Sequence, residues 1–337
     1  MALFERNVSP VGPPQIINGS YFIPANNGSY INPDYCTNKI CPLVYGELRY
    51  VPSFAGNLAY LLIFAACLLA QVVLGLLFRT WGFLFGMLFG CLLEIAGYVG
   101  RLLLHSNDFD FNYFVIYLVC ITIAPAFLSA SIYLILSRLA VICGSRVARF
   151  SPKTYTITFV CCDILSLALQ ATGGGLAATS KTGDRTGINI MISGLALQVA
   201  SLTMFAALAA DLLWAARKAS PRTTNPAFRC FRRSTMFRLF PYALALATIT
   251  IYIRCCYRVA ELEHGFGGSL ANNQPLFMVF EGPMIFVAIL ALTAFHPGLA
   301  FGGKEGWRSA NWAWKGESDS PSSESELVEV MAKGSAA

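Results

Sequence analysis

The sequence predicts an all-α polytopic membrane protein: a seven-transmembrane-helix bundle with its N-terminus outside and its C-terminus in the cytoplasm. Three observations lead there. Of 337 residues, 56% are hydrophobic and 12% charged, whereas soluble domains carry about 25% charged residues and need them to cover a water-facing surface. Seven apolar stretches recur along the chain, each close to the ~20 residues that cross a ~30 Å hydrocarbon core. Lys and Arg outside those stretches gather in alternate loops, which marks the cytoplasmic side. The same composition excludes a disordered chain, a disulfide scaffold and a nucleic-acid partner, because the net charge of +6 is concentrated in two short segments.

In chain order the expected spans are 54–78, 82–104, 113–139, 155–178, 188–214, 237–257 and 276–299. The loop after the third carries Arg146, Arg149 and Lys153, and the loop after the fifth carries Arg217, Lys218, Arg222, Arg229, Arg232, Arg233 and Arg238, neither with an acid. The remaining loops hold Asp108 and Asp110, then Lys181, Asp184 and Arg185, then Glu261 and Glu263. This charge asymmetry sets the orientation. The tryptophans Trp81, Trp214, Trp307, Trp312 and Trp314 all fall on the inner side, at the interface that suits an amphipathic ring.

Flanking segments divide the chain into an extracellular N-terminal segment (1–53), the helical domain (54–299), an inner-leaflet interfacial segment (300–315) and a disordered Ser/acidic tail (316–337). The first segment is polar and short, and reads as a loosely ordered cap. It holds Asn-x-Ser glycosylation sequons at Asn7, Asn18 and Asn27, and these are usable only on the lumenal side. Cys36 and Cys41 alone share the oxidising exterior, so a disulfide joins them. Cysteines within spans read as small buried apolar residues, and Cys143 and Cys230, near the inner interface among basic residues, as plain thiols or else palmitoylation sites. Lys304, Trp307, Arg308, Trp312, Trp314 and Lys315 suggest a segment lying on the inner leaflet.

The informative residues are polar ones at membrane depth, where a charge costs about 2.5–3.5 kcal/mol on the insertion scale. In the second span Gly86, Gly90, Glu94, Gly97 and Arg101 share a stripe roughly 80° wide at 100° per residue. In the fourth, Asp163, Ser166, Gln170 and Gly174 share a face; the fifth carries Gly194 and Gln198, and the two glutamines reach similar depth in antiparallel neighbours. Arg254, Arg258 and Glu261 end the sixth span, and Glu281 enters the seventh. By depth, Arg101, Arg254, Arg258, Glu261 and Glu281 form an outer polar layer, Glu94, Gln170 and Gln198 a middle one, and Arg138, Asp163 and Asp211 an inner one. Such groups serve either to lock helices together or to line a cleft for a charged headgroup. Arg138 and Asp211 read equally well as interfacial charges. Gly173-Gly174-Gly175 reads as close packing or a helix break.

No Walker-type motif occurs, the three histidines stand apart, and the seventh span has no lysine for a retinal Schiff base. The expectation is therefore no catalytic residue, no metal, no cofactor and no intrinsic ATP hydrolysis.

Taken together, Glu94-Ile-Ala-Gly97-Tyr98-Val-Gly-Arg101, Ala124-Pro125 with Ala130, Tyr133, Leu136 and Arg138, Asp163 with Gln170 and Gly173-Gly174, Gly194-Leu195 with Gln198, Arg254 with Arg258 and Glu261, Gly265 with Gly268, Pro283-Met284 and His296-Pro297-Gly298 resemble the fungal RTA-like lipid-translocating exporters. The chain departs from that pattern at Gln274, where an acid is frequent, and at Glu281, where aspartate is also common. The resemblance implies a fungal plasma-membrane protein that moves or resists amphipathic cationic lipids such as sphingoid long-chain bases. Glu94 and Glu281 would attract an amine headgroup, while Arg101, Arg254 and Arg258 hold the carboxylates or contact phosphate. The alternative is a seven-helix sensor for lipid or stress signals, whose basic 217–238 loop engages anionic inner-leaflet lipids or a cytoplasmic partner.

Overall fold

The computed structural model describes residues 14–17, 20–143, 151–179, 185–218, 234–263, 265, 268–304 and 307. Asn7, Asn18, Cys230, the loop arginines from Arg222 to Arg233 and the tail from Arg308 onward lie outside the described residues.

Seven helical segments among the described residues are long and apolar enough to cross a membrane. They are α1 (Phe54–Phe78), α2 (Trp81–Ser106), α3 (Phe111–Cys143), α4 (Pro152–Thr179), α5 (Thr186–Lys218), α6 (Thr235–Glu263) and a seventh span in three pieces, α7 (Gln274–Phe280), α8 (Gly282–Ala294) and α9 (Pro297–Ala300). Each apolar stretch became a helix because lipid offers the backbone no hydrogen bonds, so every N–H and C=O must pair within its own segment. Most helices outrun their apolar stretch by a few residues. The extension of α6 to Glu263 is the longest, since Arg258 and Glu261 are buried there against each other. The seventh span breaks at Glu281 because Pro283 cannot donate to the helical ladder.

The closest helix pairs are α2 with α3 and α4 with α5. Small residues make both possible. A Cβ on Gly86 or Gly97 would run into Ser131 or Ile121 of α3, and one on Gly173 into the α5 backbone at Gly187 and Met191. Of Gly173-Gly174-Gly175, Gly173 makes the close helix contact, and the triplet does not break α4, which runs through it. Large apolar side chains such as Leu69, Trp81, Ile164 and Trp214 point outward, as they should where the solvent is lipid.

The N-terminal segment carries more structure than its composition promised. Strands β1 (Gln15–Ile17), β2 (Ser20–Pro24) and β3 (Tyr30–Ile31) form an antiparallel meander. A disulfide joins Cys36 to Cys41, whose Cα atoms are 5.6 Å apart. Ile23 packs on that disulfide with Ile31, Tyr45 and Phe109. A cross-link and docking onto the bundle supply what a short polar segment lacks by itself. Asn27 lies exposed in the turn between β2 and β3. We call this end of the bundle the cap end.

Candidate functional site

The site begins with two prolines. Pro125 inside α3 has no N–H to offer the carbonyl four residues back, Ile121 O. Arg254 of α6 takes it, with Nη2 donating at 2.6 Å. Near the cap end of the seventh span, the break before Pro283 turns Glu281 into the bundle. Its Oε2 accepts from Arg254 Nε at 2.6 Å, and its Oε1 stands 3.4 Å from Arg258 Nε. Arg258 also donates to Glu261 Oε2 at 2.6 Å and to Thr122 Oγ1 at 3.2 Å. Thus one carboxylate bridges two guanidinium groups, and the bridge ties α6 to α3 and to the broken helix. Glu94, Arg101, Arg254, Arg258, Glu261 and Glu281 are each 4% exposed or less. Charges at that depth persist only when paired or hydrogen-bonded.

Two members stand apart. Arg101 pairs with no carboxylate among the described residues, which corrects the expectation that it holds one in place. Its Nε donates to Asn57 Oδ1 at 2.9 Å and its Nη2 to Tyr50 Oη at 3.0 Å. The guanidinium lies 3.8 Å from the Phe277 ring centre and 4.8 Å from that of Tyr117, a cation–π cage worth about 2 kcal/mol when dry. Glu94 is the second. Its nearest cation, Arg254 Nη2, is 3.8 Å away, too far for a hydrogen bond, and its buried Oε1 has no hydrogen-bond partner. One turn on, Tyr98 stacks beside Phe64 and Tyr60 while its buried hydroxyl is also unpartnered. That hydroxyl is so close to the break that a Cβ on Gly282 would lie 2.8 Å from it. A carboxylate oxygen and a hydroxyl therefore face the break with unmet hydrogen-bonding capacity, and buried groups in that condition call for a ligand or a water.

The cap closes over this layer. Asp108, between α2 and α3, is its latch: Oδ2 accepts from Leu48 N–H at 3.2 Å, its carbonyl accepts from Glu47 N–H, and its own N–H donates to Asn38 Oδ1 at 2.8 Å. Burial pushes the Asp108 carboxyl up from 3.8 to about 7, against the Leu48 N–H and the Arg101 charge, which lower it. A small hollow of about 10 Å³, room for about one water, remains under the cap, lined by Glu47, Tyr117, Arg258 and Glu261 among others.

A separate polar set lies between α4 and α5. Ser166 Oγ donates to Gly194 O at 2.6 Å, and Gln170 Nε2 donates to Ser166 Oγ at 2.8 Å and to Gln198 Oε1 at 3.3 Å. The two glutamines thus meet across an antiparallel pair. Asp163 belongs to neither group, since its partner is Tyr133 on α3, which donates to Oδ2 at 3.0 Å. Of the nine candidate cleft residues, six gather at the cap end, Gln170 and Gln198 pair between α4 and α5, and Asp163 meets Tyr133.

At the far end, half-buried Arg138 meets Trp307. Its guanidinium lies 3.7 Å from the Trp307 ring centre and donates to the Trp307 carbonyl. Trp307 is buried and stacks on Phe301, so this residue inserts into the bundle where a leaflet-bound segment had been expected. Aromatic burial outweighs the interfacial preference here.

The sequence reading passed over Tyr50, Asn57, Tyr98 and Phe277 as site residues. A signal existed for Asn57. Asn57 and Gln71 are two polar residues of an apolar span on one helical face, both fully buried, and Gln71 donates to Thr293 Oγ1 at 2.7 Å. Tyr98 stands inside the Glu94–Arg101 motif, whereas nothing comparable marks Tyr50 or Phe277, whose roles come from which helices meet.

A family model described as RTA1 like protein matches residues 87–304, which contain eight of those polar residues and Arg101. The chain belongs to the RTA1-like family. Relatives of this RTA1-like chain include the sphingoid long-chain base transporter RSB1 of Saccharomyces cerevisiae, 35% identical over 292 residues that cover 77% of this chain and 75% of the relative. Protein RTM1 of the same yeast is 31% identical over 64% of this chain and 68% of its own length. Protoporphyrin uptake protein 1, also from that yeast, is 32% identical over 63% of this chain and 67% of its own. No solved structure matches this RTA1-like chain.

Proposed function

We propose that this protein translocates amphipathic lipids with a cationic headgroup, sphingoid long-chain bases or close relatives, across the plasma membrane, and so contributes to lipid or toxin resistance. The observation that carries this reading is the pair of buried, unpartnered acceptor and hydroxyl groups on α2, Glu94 Oε1 and Tyr98 Oη, beside the break in the seventh span. An ammonium group supplies the hydrogen-bond donor that Glu94 Oε1 lacks, and a neighbouring hydroxyl on the lipid pairs with Tyr98. Arg254 and Arg258 hold Glu281 and Glu261, so those carboxylates shape the site and do not receive the amine. The hydrocarbon tail stays among the lipids. The name of the yeast relative RSB1 points to the same substrate class.

In this reading the cap end faces outward, the basic 217–238 loop faces the cytoplasm and its anionic lipids, and the sequons are glycosylated. Residues 54–299 form the transport domain between the cap and the cytoplasmic segments 300–315 and 316–337. The protein makes and breaks no covalent bond and hydrolyses no ATP itself.

The test is movement of a fluorescent long-chain base by purified protein in vesicles. Net transbilayer movement above that of protein-free vesicles is expected. Tight binding without movement would instead favour the sensor.

A further inference from the structure

Asp163 is a buried carboxyl for which lipid binding gives no use. It lies midway along α4, is 3% exposed, and enters none of the ion pairs among the described residues. Tyr133 donates to Oδ2, while Oδ1 is buried without a hydrogen-bond partner. The rings of Phe159 and Phe205, centred 5.4 and 4.7 Å from that of Tyr133, keep the surroundings dry.

The groups around it are few. From α3 comes Tyr133. From α6 comes the thiol of buried Cys255. On α5 the Ser201 hydroxyl, about one turn beyond the level of Asp163, is likewise buried and unpartnered. On α4 itself Cys161 and Cys162 precede it. The nearest cations along these helices are engaged elsewhere, Arg254 with Glu281 and Ile121 O, and Arg138 with Trp307.

This geometry selects one kind of ligand. A hard metal ion asks for about six oxygen ligands, and no group of three His, Cys, Asp or Glu that could hold a metal exists among the described residues. A proton needs one lone pair, which Asp163 Oδ1 offers. Carboxyls in such positions inside membrane bundles serve proton relays.

We propose that Asp163 is a proton-binding site that couples lipid movement to the transmembrane proton gradient, a role that rests on the lipid-translocation reading. The step is proton transfer alone: an O–H bond forms on the carboxylate with a proton drawn from water on one side of the membrane, and breaks to return that proton to water on the other. Coupling runs through α3, which carries both Tyr133, the donor to Asp163, and the Ile121 carbonyl that accepts from Arg254, the residue that holds Glu281 and approaches Glu94. A charge appearing on Asp163 acts on that helix and alters the grip on the lipid site.

The experiment compares wild type, Asp163→Asn and Asp163→Glu in vesicles with an imposed pH gradient and a fluorescent long-chain base. Asparagine keeps an acceptor for Tyr133 but cannot exchange a proton. Wild type is expected to accumulate the lipid and to lose accumulation on adding a protonophore. Asp163→Asn is expected to retain exchange of lipid at equilibrium and lose accumulation, and Asp163→Glu to recover it. Accumulation by Asp163→Asn equal to wild type, or wild-type accumulation indifferent to the protonophore, would overturn the proposal. A lipid-independent readout separates it from the reading beneath it: the infrared C=O band of a buried carboxyl should shift with pH in wild type and be missing in Asp163→Asn. Absence of any such difference defeats the proton site. A difference without lipid movement sinks the translocation reading and the coupling with it.

Discussion

The cap-end layer and the α4–α5 layer bury polar groups in the same bundle by opposite means. At the cap end three arginines and three glutamates are packed together, and Glu281 bridges two of the arginines. Between α4 and α5 the bonds are among neutral groups, a serine, two amides and a backbone carbonyl. The first arrangement is rigid, because removing one ion leaves its partner charged in a dry place. The second is forgiving, because each bond contributes about 1 kcal/mol net. Within the first layer the same contrast recurs: Glu281 accepts from Arg254 at 2.6 Å, while the cation beside Glu94 stands 3.8 Å away. A rigid frame around a loosely held carboxylate is what recognition of a cationic group requires.

The comparison is easiest to break at the bridge. Glu281→Ala should lower stability by about 3–5 kcal/mol, because it strands Arg254 and Arg258. The check is the thermal midpoint of detergent-purified protein. Next in size, Gly194→Val should cost about 1–3 kcal/mol, since its side chain meets Gln170 and the Ser166 carbonyl where α4 and α5 touch. Gln198→Leu, which deletes one amide bond, should cost about 1 kcal/mol. If Gln198→Leu proved as damaging as Glu281→Ala, the distinction between the layers would fail.

The cap supplies a pH-dependent case. The closed latch holds Asp108 in an environment where its proton is kept to about pH 7, whereas a released carboxyl ionises near 3.8. Closure therefore binds a proton between those values. It is most stable below about pH 4 and weakens as the pH rises to about 7, beyond which this group adds no further change. Hydrogen exchange at Leu48 N–H, corrected for its intrinsic rate, should accelerate across that window. In Asp108→Asn, whose amide oxygen still accepts from Leu48, the acceleration should disappear.

Seven helices were legible from apolar length alone, because lipid permits no other backbone solution for such stretches. The depth of the charged residues was legible too, since helical spacing fixes it. Their partners were not. The bond from Arg254 to Ile121 O depends on a proline in a different helix, and the unmet hydroxyl of Tyr98 depends on how close Gly282 comes. Gly282-Pro283 did carry a readable signal for the break that aims Glu281 inward. The burial of Trp307 against Arg138 was hidden, because a Trp near a span end suits an interface and a bundle end equally well.

The account turns on Glu94 being the carboxylate that meets the lipid amine while the rest of the layer is frame. Translocation of a labelled long-chain base, measured per mole of folded protein for wild type and Glu94→Gln at matched thermal midpoints, tests this most directly. The expected result is a midpoint close to that of wild type with translocation lost. Translocation at the wild-type rate by a folded Glu94→Gln protein would contradict it.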